Sequence, residues 1–106
     1  MTVVTPNSIT VEGRGGLSLE LQFKAADGSA RDVSTNAIFF EVENILRVAL
    51  LAGSTASMRV ISLDRDHVAL IGIKTRNFVC VDETGSVQDA FWAGIIKVKG
   101  FTGQPT

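Results

Sequence analysis

Leu17, Leu19, Leu21 and Phe23 alternate with Ser18, Glu20, Gln22 and Lys24. Apolar side chains at every second position suit a strand with one face on a core; on a helix they would scatter around the circumference. The period returns at Ile38 to Glu43, where Ile38, Phe40 and Val42 share one face and Phe39, Glu41 and Glu43 the other. Between these strands, Asp27-Gly28 is a turn dipeptide whose glycine takes positive φ without steric cost. Ala30 to Val33 is expected as a short return. Composition agrees with strands: Val and Ile number 20 against 10 for Leu and Met, and β-branched side chains suit a pleated surface. Both prolines, Pro6 and Pro105, lie at the ends, so no residue from Asn7 to Gln104 is barred from a sheet ladder.

Further strands are expected at Ser8 to Glu12, Ile45 to Leu51, Met58 to Leu63, Asn77 to Glu83 and Phe91 to Lys99. Gly13-Arg14-Gly15-Gly16, Asn44, Gly53 to Ser57 and Thr84-Gly85-Ser86 supply the turns. From Asp64 to Ile73 two readings compete. Asp64 is a good N-cap and Asp66 favours a helical first turn, yet Val68 to Ile73 would also serve as a buried strand. One short helical turn leading into a loop is the preferred reading. The first six residues and Gly103 to Thr106 read as loose ends of a single domain. About seven strands at short, even spacing predict an all-β sandwich or small barrel, the sheets of a sandwich packing about 10 Å apart.

The 106 residues suffice for one domain with a real core. Apolar residues make up 45% and charged residues 20%, which excludes a disordered tail. A net charge of −1 and a pI of about 5.7 argue against a nucleic-acid partner, which demands a basic footprint. No apolar stretch approaches the ~20 residues of a membrane-spanning helix. The start carries neither the basic residue nor the apolar block of a secretory signal, so a soluble protein is expected. With Cys80 the single cysteine, no intramolecular disulfide can form.

Chemistry-bearing residues are sparse. His67, the one histidine, lies beside Asp64 and Asp66, but no Gly-x-Ser-x-Gly elbow supplies a nucleophile. The same three residues fall short of a calcium loop, and zinc would find only His67 and Cys80. Capping and solvation of a turn explain them more cheaply. Gly13-Arg14-Gly15-Gly16 lacks the Lys-Ser/Thr end of a phosphate loop. Cys80, within Phe78-Val79-Cys80-Val81, reads as a small core hydrophobe. Trp92 lies on the expected inner face with Ile96 and Val98, so a core role is its default. No catalytic, metal or cofactor site is expected. Two apolar residues stand on otherwise charged faces, Phe39 beside Glu41 and Glu43, and Ile95 beside Lys97 and Lys99. They are the candidate subunit contact, unless a second layer or a bulge buries them.

Taken in order, several segments carry a resemblance. They are Leu19-x-Leu21-x-Phe23-x-x-x-Asp27-Gly28, Asp32-Val33-Ser34, Ile38-Phe39-Phe40-Glu41-Val42, Leu46-Arg47-Val48-Ala49-Leu50, Val81-Asp82-Glu83-Thr84-Gly85, Trp92-x-Gly94-x-Ile96 and Gly100-Phe101. From Leu17 to Phe101 the chain resembles small virion proteins of tailed bacteriophages, in particular the immunoglobulin-like domains at the N-terminus of baseplate upper proteins and tail-fibre proteins. Baseplate proteins carry a long C-terminal extension, and this chain stops at Thr106. A free-standing domain is similar instead to capsid decoration (cement) proteins. The resemblance implies an immunoglobulin-like sandwich of about seven antiparallel strands and a non-enzymatic structural role in the virion. It also implies other virion subunits and a second copy of the chain as partners, with no catalytic residue to carry over. The alternative expectation is a ligand- or carbohydrate-binding sandwich.

Overall fold

A computed structural model describes residues 2–5, 7–12, 16–85 and 88–99. Each alternating segment becomes a strand, and the strands fall into two sheets. In chain order they are β1 (Thr2–Thr5), β2 (Ser8–Glu12), β3 (Leu17–Gln22), β4 (Ile38–Val42), β5 (Leu46–Ala49), β6 (Leu51–Ala52) and β7 (Met58–Leu63). A helix, α1 (Arg65–Ile71), precedes β8 (Thr75–Asp82) and β9 (Asp89–Lys99). The first sheet runs β1-β2-β9-β8-β4-β5 and the second β3-β7-β6. Their apolar faces pack together with Phe40, Ile9, Ile61 and Ile96 fully buried between them, so the fold is an all-β sandwich.

Among the described residues nine strands form where about seven were expected, and the extra two have local causes. The first residues were expected as a loose end, but Thr2–Thr5 pair antiparallel with β2. The expected strand Ile45 to Leu51 divides at Leu50. Its first half pairs with β4 in one sheet and its second half with β7 in the other. Leu50 is buried and donates its N–H to the Ile38 carbonyl, 2.9 Å away, so the chain changes sheets without losing that bond. Ala30 to Val33 does not form a strand; only the bridge Lys24 to Ala30 is made. Gly28 takes a φ of 89°, as the turn dipeptide requires.

Among the described strands pairing is antiparallel except between β2 and β9, which run parallel with Ile9 opposite Ile96 and Val11 opposite Val98. Where β2 begins, the backbone of Asn7 passes so close to Gly94 that a Cβ there would lie 2.2 Å from the Asn7 carbonyl oxygen. The glycine lets the strands meet, and the Ile95 N–H donates to that same oxygen at 3.0 Å.

Residues 64–73 resolve as two helical turns rather than one. Asp64 caps α1 by accepting the His67 N–H at 2.8 Å, and His67 Nδ1 accepts the Asp64 N–H at 3.2 Å. This is a reciprocal capping box with histidine in the place usually held by Glu or Gln. Val68 and Ile71 turn inward. Gly72, at φ 77°, ends the helix.

Arg59, on β7, ties the loops to the sandwich. Its guanidinium donates to the carbonyls of Val33 (2.6 Å), Asn36 (3.0 Å), Leu50 (3.0 Å) and Leu51 (3.2 Å). The planar fork of arginine can reach several acceptors at once.

Candidate functional site

Phe39 and Ile95 both lie on the outer face of the six-stranded sheet. They are not on neighbouring strands, because β8 runs between β4 and β9. Two strand spacings, about 10 Å, separate them across the sheet, and the register also sets them apart along it, Phe39 facing Val81 and Ile95 facing Asn77 on β8. The space between is apolar: Phe39 stands opposite Val81, Val79 opposite Ala93, and Ile95 follows Ala93 on the same face. The two ends differ in cover. The Arg47 guanidinium lies 4.0 Å above the Phe39 ring, held there by Glu41 at 2.6 Å and Glu83 at 2.8 Å. Ile95 is 41% exposed.

His67 is absorbed by the helix cap, its Nδ1 used as an acceptor for a backbone N–H. Asp64 and Asp66 stay exposed at the helix start. Among the described residues no three of His, Cys, Asp and Glu converge as metal ligands would. Cys80 is fully buried on β8 and belongs to the core cluster. Burial pushes its thiol up to about 12, because a thiolate there would lose its hydration. Gly13 to Gly15 lie outside the described residues; Gly16, the last of that turn, packs against the Leu63 carbonyl, within 2.2 Å of where a Cβ would sit.

Trp92 has a double position that periodicity did not reveal. Its ring meets Phe78 edge-on at 4.8 Å, and Phe78 stacks on Phe40 at 5.4 Å, so one side of the indole belongs to the core. The register of β8 against β9 slips here: Cys80 pairs with Trp92 and Val81 with Ala90, leaving Phe91 unpaired in a bulge. In a regular strand Phe91 would face outward. The bulge instead brings its ring edge-on to Phe23, 5.3 Å away, on the inter-sheet side. Two consecutive aromatic residues therefore serve one side of the sheet.

At the open margin between the end of β3 and the start of β9 they line a groove of about 330 Å³, completed by Leu21, Gln22, Phe23, Lys24 and Arg31. Phe91 is 39% exposed there. The lining holds two cations and no acid. Arg31 reaches the Asp82 carboxylate at only 3.8 Å and is about half exposed. Burial alone would raise Asp82, but donors from the Thr84 hydroxyl, Asn36 and the Thr84 N–H, with Arg31 nearby, outweigh it and hold the carboxyl below its ordinary value. A second concavity of about 360 Å³ lies along the β4–β5 hairpin. Glu41, Glu43 and Arg47 line it, and all three are engaged in ion pairs.

Sequence reasoning singled out Trp92 but missed Phe91, Phe23 and Arg31. The available signal was the adjacent pair Phe91-Trp92, two large aromatics where alternation calls for one. No protein-family model matches the chain, and no curated protein gives a significant match.

Proposed function

We propose that this protein is a non-enzymatic structural subunit of a tailed-bacteriophage virion, and that it binds neighbouring subunits through the outer face of its six-stranded sheet. The observation that carries the reading is the apolar strip on that face. It runs from Phe39 past Val81, Val79 and Ala93 to the exposed Ile95. An apolar strip that ends in an exposed Ile95 and is rimmed by charge fits a contact surface better than it fits solvent. The sheet rims add main-chain hydrogen bonds: β1 and β5 are its end strands, and extended segments pair with such edges. Repetition in a ring or shell would multiply a weak contact. The virion setting rests on the sequence resemblance.

The test is fractionation of particles from a lysate of the infected host. The chain is expected to co-sediment with assembled particles at a fixed stoichiometry. Ile95→Lys is expected to lower its incorporation at least tenfold while leaving thermal unfolding unchanged. A chain that never co-purifies with particles refutes the proposal.

A further inference from the structure

We infer that the groove between β3 and β9 is a binding site for an acidic saccharide, a pyranose bearing a carboxylate. The inference does not depend on the subunit reading and concerns a different surface. Several features of the groove point the same way. Its floor is aromatic, with Phe91 exposed beside Trp92 and Phe23. A sugar ring presents an apolar C–H face that packs on such rings, while its hydroxyls stay available to polar neighbours. The polar members of the lining are cationic or amide: Lys24, Arg31 and Gln22. A carboxylate entering there meets the Arg31 fork, whose paired donors match its two oxygens.

Arg31 is held only by a long ion pair to Asp82. Asp82 already accepts from Asn36 at 2.8 Å and from the Thr84 N–H at 2.9 Å, and takes the Thr84 hydroxyl as well. Its contact with Arg31 is the longest it makes, at 3.8 Å. The volume, about 330 Å³, falls within the range of small-ligand pockets, about 300 to 1,000 Å³. Finally, the site is built by the bulge. A regular β9 would send Phe91 to the outer face and leave the groove without its exposed ring.

The chain supplies its own reporter, since Trp92 is its one tryptophan and tyrosine is absent. The experiment titrates the intact protein with glucuronate, glucose and acetate into the tens of millimolar at constant ionic strength and follows tryptophan emission. Glucuronate is expected to give a saturable change with an affinity at least tenfold above that of glucose. Acetate, a carboxylate without a ring, is expected to give none. Arg31→Gln should bring glucuronate down to the level of glucose, and Phe91→Ala should abolish both responses, each variant keeping the parent circular dichroism spectrum. A response to glucuronate no stronger than to glucose or acetate overturns the inference. So does the absence of any saturable response, or tight saturation by an acidic peptide in place of the sugar.

Discussion

Replacing Arg59 by methionine keeps most of the side chain's length and removes its charge and donors. Four carbonyls then lose a partner. Those of Asn36 and Leu51 belong to more exposed residues and can turn to water at little cost. The Val33 carbonyl keeps the Asn36 N–H at 3.1 Å, but that of Leu50 belongs to a residue 3% exposed, and an unsatisfied buried acceptor costs about 1–3 kcal/mol. That one orphaned acceptor gives a loss of about 2 kcal/mol, which for a domain of this size lowers Tm by roughly 8–15 °C. Arg59→Lys retains the charge but lacks the planar fork, so it should fall between parent and methionine. The comparison that isolates geometry from charge is Arg47→Met. Arg47 makes two short ion pairs, but it is 45% exposed, and solvent screening leaves such surface pairs contributing little. Equilibrium urea unfolding followed by Trp92 emission measures all three, and the midpoint should shift at constant m. If Arg59→Met costs no more than Arg47→Met, the carbonyl clamp is not what holds the loops and the reasoning fails.

Gly94→Ala should destabilise by about 2 kcal/mol or more, because the clash at Asn7 is with backbone and forces β2 away from β9; amide exchange at Ile9 and Val11 should accelerate more than at β7. Phe40→Ala should cost about 3–5 kcal/mol in the same urea experiment, as the removal of a fully buried aromatic does. Cys80 should resist a thiol-reactive dye in the native state and label at the rate of global opening, so added urea should accelerate labelling. Asp82, Glu83 and Glu43 are held below their ordinary values by the donors around them. A carboxyl lowered in the folded state stabilises above its unfolded pKa, and that stability is lost as pH falls through the folded value. Stability should therefore decline as pH drops below about 4, and Asp82→Asn should flatten that decline; an unchanged slope would remove Asp82 from the account.

Alternation showed which side of each strand meets the core. Ile38, Phe40 and Val42 turn inward as read, and Met58–Leu63 has the expected bounds. Pairing partners were hidden, because a period of two states a face and not a neighbour. The parallel union of β2 with β9, the change of sheet at Leu50 and the presence of β8 between Phe39 and Ile95 all depend on contacts distant in sequence. The helix was half visible: Asp64 announced the cap, but a histidine answering it did not fit the usual pattern. The groove escaped because a bulge is one residue out of step, and that step decides whether Phe91 faces in or out. Arg59 looked like any charge on a strand, since its acceptors are backbone carbonyls that no side-chain pattern records.

The parallel seam also sets an order of events. Ile9 finds Ile96 only after nearly the whole chain lies between them, and closing so long a loop must precede any reward from the contact. While the ribosome is still adding residues, the β1–β2 hairpin waits with Ile9 and Val11 uncovered. Of the described strands, the last to emerge is therefore the one that shelters one of the first, and a nascent chain stalled before β9 would be a client for chaperones.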